Sequence, residues 1–417
     1  MRLLFLGSVM KTEDCTKHLG PSVAGNKMQM GIIKELFRFY NEKMSILTEY
    51  PVAAYPREKV IYMDDRIIEL TKGITARRVP FLNFFILKQT TLIINAFFQI
   101  CKWAIVNRNE PKVVLCFNAF PYVALPIQWA ANLFKFKTIC ILADPPIEVL
   151  NRGFLGRIAK KIEDDSTRCS INKFDGLVVL NEHAALEYAP ASKYIVVDGG
   201  FDLEDLEKVE CGGQWKAMES DECFRVVYSG AIIEYNGIKN LLEVSKKINN
   251  TRFRLEIYGD GPLVQYVKDR CEDDPRISYM GNKPNVEIMQ IQQKAALLVN
   301  PRHIDEPISK FTFPSKIIEY MLSGTPIITT KLNGLTDEYL NYMFVFEDEE
   351  PESMARTIDN ILNKDKNELI QKATLAREFV IKEKNWKVQS NRIIVFVDKI
   401  VNEKIDYETA RHARRIL

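Results

Sequence analysis

The sequence predicts an α/β protein made of two successive units, each built on a parallel sheet. Its 417 residues favour two or three domains over one. Short β-rich runs alternate with helical patterns of about ten to fifteen residues, which is typical of parallel sheets covered by helices. Each half also opens with a strand pattern followed by a glycine-bearing loop, the first at residues 3–7 and the second at residues 224–230.

Composition places the chain among globular proteins with sizeable cores. Hydrophobic residues make up 47% of it, and 57 basic residues nearly balance 55 acidic ones, for a net charge of +2. This balance gives no reason to expect a nucleic-acid partner. The eight cysteines include no CxxC pair, which indicates free thiols in a reducing compartment. We therefore expect a cytoplasmic protein.

Two segments raise the question of a membrane surface. Polar residues interrupt the apolar stretch at 79–106, so it lacks the run of about twenty apolar residues that a membrane span needs. We predict one or two core helices there, and a face that meets a bilayer remains open. Residues 151–173 predict an amphipathic helix whose basic residues suit an anionic lipid surface, although a solvated charged face is an equal alternative. Those basic residues are Arg152, Arg157, Lys160 and Lys161.

The first half carries two candidate ligand-binding positions. A loop with Gly25 and Asn26 follows the first strand and precedes a helix predicted at 29–40, as in half of a mononucleotide-binding βαβ unit. It lacks the GxGxxG fingerprint, and a flexible surface loop is the alternative. Asp144 directly follows a strand predicted at 137–143. Ligands collect at the carboxyl ends of parallel strands, so Asp144 is a candidate catalytic carboxylate, or else a loop-stabilising one. Other strands are predicted at 44–47, 60–63, 112–117, 176–180 and 194–197, and helices at 119–136 and 151–173.

The second half repeats the alternation after a charged, glycine-containing linker. The predicted organisation is a first domain at 1–203, a linker at 204–222, a second domain at 223–384 and a C-terminal helix with a basic tail at 385–417. Strands are predicted at 224–230, 254–258, 277–280, 296–300 and 325–328. Helices are predicted at 238–248, 263–271, 285–293, 316–322, 353–363, 366–384 and 386–403.

A capped helix within residues 311–328 is the sharpest local signal. A loop ends at Pro314-Ser315, a helix begins at Lys316, and Gly324 suits the position just past its end. Ser315 is a natural N-cap residue. The first-turn amides and the Lys316 charge would stabilise an anion such as a diphosphate. Glu319 lies one turn further along the same face.

An ordered set of motifs over residues 225–330 resembles the GT-B glycosyltransferases, and within them glycosyltransferase family 4. The motifs are Tyr228-Ser-Gly230, Gly259-Asp-Gly-Pro262, Gly281, Asn300-Pro-Arg302 and Phe313-Pro-Ser-Lys316 with its following helix. The last is similar to the branch that builds bacterial exopolysaccharides and capsules. The resemblance implies two Rossmann-like domains facing across a cleft, a nucleotide-sugar donor, and a C-terminal helix that crosses back to the N-terminal domain.

The resemblance also implies roles for individual residues. Glu319 matches a glutamate that hydrogen-bonds the donor ribose, and Ser315 and Lys316 match positions that hold the diphosphate. Arg302 is a candidate phosphate or sugar contact, with a structural ion pair as the alternative. The candidate catalytic residues are Asp144, Lys316 and Arg302. The candidate donor-binding residues are Gly25, Asn26, Gly230, Gly281, Asn282, Arg302, Pro314, Ser315, Lys316 and Glu319. No cofactor beyond the donor and no metal site are predicted.

Three positions depart from the family pattern. Ala231 and Asn236 stand where the family often has arginine and lysine, and Phe311 stands where it has the first glutamate of a pair. The charge that stabilises the leaving diphosphate must then come from Lys316, Arg302, Lys310 or a metal ion.

Three hypotheses for function follow. The first is transfer, with retention, of a sugar to a saccharide or lipid-linked saccharide acceptor, in exopolysaccharide or capsule assembly, by a cytoplasmic enzyme that has an open option of peripheral contact with the inner membrane face. The second is an inactive GT-B partner subunit of an active transferase, motivated by the three departures. The third is another GT-B-shaped enzyme, such as a nucleotide-sugar epimerase, whose catalytic carboxylates and histidines the sequence does not reveal.

Overall fold

The computed structural model describes residues 1–146, 154–204, 206 and 223–402, with side chains at all of them except 86 and 154–159. The chain divides into two compact units. Unit 1 contains the described residues of Met1–Val179, Ala185–Val197 and Ser390–Leu417, and unit 2 contains those of Leu180–Ala184 and Asp198–Gln389. The linker predicted at 204–222 lies almost wholly outside the described residues.

Unit 1 is organised around an eight-stranded sheet in the order β10-β9-β8-β7-β1-β2-β5-β4. Neighbouring strands run parallel except β4 and β5, which form an antiparallel hairpin. A separate antiparallel pair joins β3 to β6. The strands are β1 Arg2–Gly7, β2 Met44–Thr48, β3 Tyr62–Met63, β4 Ile67–Thr71, β5 Ile74–Arg78, β6 Phe81–Leu82, β7 Lys112–Phe117, β8 Lys137–Leu142, β9 Gly176–Val179 and β10 Tyr194–Val196.

Five helices accompany this sheet: α1 Val23–Tyr40, α2 Phe85–Val106, α3 Pro121–Phe134, α4 Phe154–Ile171 and α5 Glu182–Tyr188. The apolar stretch at 79–106 therefore contains a single helix, α2. Among the described residues, no helix combines the length and the apolar character needed to cross a bilayer.

Two predictions for unit 1 are wrong in detail. The helix predicted to start at residue 29 begins at Val23, because Ser22 caps it by accepting a hydrogen bond from the Gly25 amide at 3.1 Å. Gly25 and Asn26 thus lie in a helical turn and not in a loop. The strand predicted at 60–63 shrinks to β3, which pairs outside the main sheet. The β4–β5 hairpin was not predicted at all.

Unit 2 contains a six-stranded sheet, entirely parallel, in the order β13-β12-β11-β14-β15-β16. Its strands are β11 Phe224–Ser229, β12 Phe253–Tyr258, β13 Ile277–Gly281, β14 Leu297–Asn300, β15 Ile327–Thr329 and β16 Phe344–Val345. Its helices are α6 Ile238–Lys247, α7 Val264–Asp273, α8 Asn285–Gln293, α9 Pro307–Phe311, α10 Lys316–Ser323, α11 Asp337–Leu340, α12 Pro351–Leu362 and α13 Lys366–Glu383. The short elements α9, α11 and β16 were not predicted.

Both faces of the unit 2 sheet are buried, in two separate cores. Along β11, Val226 and Tyr228 point into one core, whereas Val227 between them points into the other. This alternation follows from the two-residue period of a strand. Strands buried on both faces read as continuous apolar runs, which is why the sequence predicts them well.

The last described helix, α14 Trp386–Asn402, connects the two units along the chain. Its first turn belongs to unit 2, where Trp386 packs on Gly200. From Ser390 onward it belongs to unit 1, where Phe396 and Ile400 pack on Gly176 so closely that any Cβ there would clash with the Phe396 ring. The predicted return of the C-terminal helix to the first domain is confirmed. The basic residues of the tail, Arg411, Arg414 and Arg415, lie outside the described residues.

Candidate functional site

The carboxyl edge of the unit 2 sheet gathers most of the predicted site residues. Because the strands are parallel, the segments that follow β11, β12 and β14 leave the sheet at the same edge. Glycines let these backbones touch. A Cβ on Gly259 would lie 1.9 Å from the Gly230 carbonyl oxygen, and one on Gly237 would lie 1.8 Å from that of Pro301. The glycines at these positions therefore set the shape of the edge.

Lys316 lies at the centre of this edge. Its Nζ donates a hydrogen bond to the Tyr228 hydroxyl at 3.0 Å and sits 4.2 Å from the centre of the Tyr228 ring. Gly230 makes room for it, since a Cβ there would approach Nζ to 2.4 Å. Burial lowers the pKa of Lys316 to about 7, the nearby Arg302 charge lowers it further, and Glu319 acts in the opposite direction.

Arg302, just after β14, is a second buried cation. Only 6% of it is exposed, and its guanidinium donates to the Ser309 hydroxyl at 2.9 Å and the Thr312 hydroxyl at 2.8 Å. The same group lies 5.2 Å from the centre of the Tyr235 ring. Within the described part of the chain, no carboxylate lies within 4.0 Å of it. Buried charges are normally paired, so two uncompensated cations mark a place where an anion would be stabilised.

The N-terminus of α10 adds open backbone donors. Ser315 has helical backbone angles, φ −52° and ψ −27°, and its side chain makes no capping hydrogen bond. The predicted N-cap is therefore wrong, because a capping side chain needs an extended backbone to reach the first-turn amides. None of the described residues accepts a hydrogen bond from the N–H groups of Ser315 and Lys316. The predicted glycine at the other end is confirmed, with Gly324 in the left-handed region at φ 71°.

Tyr320 fixes α10 against the sheet. Its fully buried hydroxyl accepts a hydrogen bond from the Ser229 amide at 2.9 Å and donates one to the Ser229 carbonyl at 3.2 Å. The bond joins the middle of α10 to the last residue of β11. It thereby holds Lys316, one turn earlier, above Tyr228 and Gly230.

Tyr320→Phe is expected to lower the free energy of unfolding by about 1–3 kcal/mol, because it leaves the buried Ser229 backbone groups unsatisfied. Urea unfolding measures this change. The matched control is Tyr342→Phe, since no described residue bonds the Tyr342 hydroxyl and its ring stacks on Phe379. Equal unfolding midpoints for the two variants would contradict the anchoring role of Tyr320.

Three further predicted positions lie at the same edge or beside it. Glu319 is half-buried, one turn after Lys316, and its charge is felt at Lys316. Gly281 ends β13 in the left-handed region, at φ 76°, and its carbonyl accepts from the Gly259 amide at 3.0 Å. Asn282 follows it and is exposed. Pro314 is buried directly before α10.

The positions that depart from the family pattern are occupied by structural contacts. Asn236 donates to the Ala231 carbonyl at 2.8 Å, and the Tyr228 hydroxyl donates to the same oxygen at 2.8 Å. The loop after β11 is thus closed on itself without a charge. Phe311 is buried at the end of α9, and the exposed Lys310 lies 5.0 Å from the centre of its ring.

Sequence reasoning missed how the segment after β14 is held. His303 Nδ1 lies 2.6 Å from the Glu349 carboxylate, whose other oxygen accepts from the Ile304 amide at 2.7 Å. The two partners are far apart in the chain, so no local pattern links them. Their pairing fixes the backbone next to Arg302.

The predicted residues of the first half lie in unit 1. The Asn26 amide bonds the Met10 backbone in both directions, at 3.0 and 3.1 Å, and so fixes the segment after β1. Gly25 lies one residue earlier in the first turn of α1. Both lie in a helix and not in the loop that was predicted to approach a donor phosphate.

Asp144 lies at the carboxyl edge of the unit 1 sheet, just after β8. Asn118, which follows β7, donates to its carboxylate at 2.9 Å and accepts from the amides of Ala143 and Asp144. Asp144 keeps an exposed surface, yet burial raises its pKa, while the Asn118 hydrogen bond opposes that change. The position at a strand end is as predicted, and the Asn118 bracket also gives Asp144 a loop-stabilising contact.

Metal and lipid sites have less support from local geometry. No group of three His, Cys, Asp or Glu side chains able to ligate a metal ion occurs in the part of the chain that the structure describes. Of the basic residues on the predicted lipid-facing helix, Lys160 pairs with Glu163 at 3.2 Å and Asp164 at 2.7 Å. Arg152 and the Arg157 side chain lie outside the described set.

Comparison with known proteins separates the unit 2 sequence from the fold of the whole chain. Residues 223–364 match the family model described as glycosyl transferases group 1. A search of curated proteins gives no match in sequence. Sucrose-phosphate synthase from Thermosynechococcus elongatus superposes with a TM-score of 0.65 at 14% identity, over 96% of this chain and 99% of that protein. The chain has the GT-B fold.

Other GT-B structures extend this likeness. HepE from Anabaena, solved in complex with UDP, gives a TM-score of 0.60 at 13% identity, over 96% of this chain and 100% of that protein. TarM of S. aureus, also solved with UDP, gives 0.59 at 12% identity, over 97% and 100%. At such identities the likeness establishes the shared GT-B fold, whereas the family match covers unit 2 sequence from β11 to the end of α12.

Proposed function

We propose that the protein is a glycosyltransferase that moves a sugar from a nucleoside-diphosphate sugar to an acceptor hydroxyl. The observation that carries this proposal is the pair of buried cations, Lys316 and Arg302, beside the open N-terminus of α10. A diphosphate supplies the negative charge that this edge lacks. The glycosyl transferases group 1 match over residues 223–364 and the UDP complexes of HepE and TarM support the same ligand class.

Each residue at this edge has a role in the proposed reaction. The bond between the anomeric carbon and the donor phosphate breaks, and its electron pair goes to the diphosphate. Lys316, Arg302 and the amides of Ser315 and Lys316 stabilise that developing charge, which is the main way such sites accelerate group transfer. Glu319 accepts hydrogen bonds from the two ribose hydroxyls.

Finer features of the proposal rest on the motif resemblance alone. They are retention at the anomeric carbon, membership of glycosyltransferase family 4, and a place in exopolysaccharide or capsule assembly. The proposed acceptor is a saccharide or lipid-linked saccharide bound by unit 1, where Asp144 would contact it. A cytoplasmic protein with peripheral contact at the inner membrane face fits such an acceptor.

Glu319→Ala tests the donor assignment. We expect the variant to bind UDP, GDP or ADP at least about tenfold more weakly than the wild type, because it loses two hydrogen bonds to a charged acceptor. A panel of nucleotide sugars, read by thermal shift and by nucleotide release, identifies the donor, and calorimetry then compares the variants. The matched control is Glu272→Ala on the exposed face of α7. Unchanged affinity in Glu319→Ala would remove Glu319 from the ribose site.

A second candidate function is favoured by the uncharged loop of Ala231 and Asn236 and by Phe311. The protein would then be an inactive GT-B partner of an active transferase. Binding of a nucleoside diphosphate without turnover of any nucleotide sugar, over a broad set of acceptors, is the result that this candidate predicts. Release of nucleotide from one donor excludes it.

A further inference from the structure

A cluster of polar side chains at the carboxyl edge of the unit 1 sheet is not used by the donor site. The strands β8, β7, β1 and β2 are neighbours in that order. A polar residue follows the end of each one: Asp144, Asn118, Ser8 and Glu49. Because the four strands are parallel, these residues leave the sheet at one edge, where open α/β sheets bind their ligands.

Glu49 is the unusual member of this cluster. It is only 5% exposed, and its carboxylate accepts a hydrogen bond from the Ser8 hydroxyl. No described cation forms an ion pair with it, and no described donor reaches its second oxygen. Lys88 is near enough to lower the pKa of Glu49 while burial raises it, but the Lys88 ammonium donates to the Val52 carbonyl instead. An ionised carboxylate can accept about four hydrogen bonds, so Glu49 has unused capacity.

Tyr122, in the first turn of α3, faces the same cluster. Burial raises the pKa of its phenol, and the charges of Glu49, Glu163 and Asp144 raise it further, so these three carboxylates surround the hydroxyl. No described residue hydrogen-bonds this hydroxyl. The ring stacks on Phe120 with the centres 5.6 Å apart and the planes 17° apart. The cluster thus combines acceptors, a free hydroxyl and an aromatic surface.

We propose that Glu49, Ser8 and Tyr122 form a binding site for the hydroxyl groups of a neutral saccharide. The carboxylates disfavour an anionic ligand, and the Lys88 charge disfavours a metal cation. A sugar both donates and accepts hydrogen bonds, so its hydroxyls match the free oxygen of Glu49 and the hydroxyl of Tyr122. Its role as the acceptor of the transfer reaction rests on the proposed function, but the binding site itself does not.

Direct saccharide binding tests this site in the full-length protein. The probes are glucose, galactose, N-acetylglucosamine and their octyl glycosides, followed by saturation-transfer NMR. We expect the wild type to bind at least one probe, and Glu49→Gln and Tyr122→Phe to bind it about tenfold more weakly, as for the loss of a charge-assisted hydrogen bond. Glu69→Gln, on the exposed face of β4, is the matched control and is expected to bind as the wild type does.

Two further measurements separate this site from the donor site. UDP affinity is expected to be the same in Glu49→Gln as in the wild type, and Lys316→Ala is expected to keep saccharide binding while losing UDP binding. No binding of any probe to the wild type, or equal binding by Glu49→Gln and the wild type, overturns the saccharide site. If circular dichroism shows that Glu49→Gln is unfolded, Tyr122→Phe decides on the same criterion. Absence of UDP binding in the wild type contradicts the proposed function alone.

Discussion

Lys316→Met is expected to weaken binding of a nucleoside diphosphate by about 10- to 150-fold while leaving the protein folded. The lost contact is a charge-assisted hydrogen bond to phosphate, worth about 1.5–3 kcal/mol. Methionine keeps a long unbranched side chain next to Gly230 and Tyr228, so the packing of the edge changes little. The free protein is expected to become more stable at pH 6, because a buried cation without an anionic partner has been removed.

Calorimetry with UDP and thermal unfolding without ligand measure these two effects. Lys294→Met is the matched control, since Lys294 is exposed and lies before β14, at the opposite edge of the sheet. It is expected to change neither quantity. A variant at Lys316 that binds UDP as tightly as the wild type would remove Lys316 from the diphosphate site and leave the α10 amides and Arg302 as the remaining donors.

The affinity of the wild type for UDP is expected to fall by up to about tenfold per pH unit above pH 7. Burial lowers the pKa of Lys316 to about 7 in the free protein, so most molecules carry a neutral amine at pH 8. A bound diphosphate favours the ammonium form. Binding at pH 8 must therefore take up about 0.9 proton at this one site.

Calorimetry in buffers of different ionisation enthalpy counts these protons directly. The comparison is made above pH 7, where the terminal phosphate, with a pKa of about 6, is already ionised. Lys316→Met is expected to show neither the proton uptake nor the steep pH dependence. Proton uptake near zero in the wild type at pH 8 would contradict the assignment of the bound phosphate to Lys316.

The same shift has a consequence for folding that carries the opposite pH dependence. Lysine in the unfolded chain keeps its ordinary pKa near 10.5, so between about pH 7 and pH 10 the unfolded chain binds more protons at Lys316 than the folded protein does. The cost of burying this ammonium is fully present below about pH 7. The contribution of Lys316 to stability therefore improves as pH rises, while UDP binding weakens.

Much of the fold was predictable because it depends on patterns within short segments. The unit 2 strands and the long helices α6, α12, α13 and α14 agree with prediction to within a few residues. Strands such as β7 and β11 are buried on both faces and read as apolar runs. The β4–β5 hairpin was missed because charged residues such as Glu69 and Arg77 alternate through it, and because the pattern of Ile67–Thr71 resembles exposed loop.

The candidate site was predictable only residue by residue. Lys316, Arg302 and Glu319 were each found from motif positions, and the structure places all three at or beside one edge. The wrong N-cap at Ser315 shows the limit of this approach, since a residue type predicts a cap but the backbone angles decide it. Glu49 was missed altogether. Its one sequence signal was that it directly follows a strand, as Asp144 does.

The sequence by itself determined the α/β class, the two-unit organisation, the return of the C-terminal helix and the helix that begins at Lys316. These features follow from periodicity and glycine positions, which are properties of neighbouring residues in the chain. The tertiary structure alone decided that Lys316 and Arg302 are buried without a described carboxylate partner, and that Glu49 keeps an unused oxygen. Burial and charge pairing depend on groups far apart in sequence: Lys316 owes its lowered pKa to Tyr228, Gly230 and Arg302, which are distant along the chain yet adjacent in space.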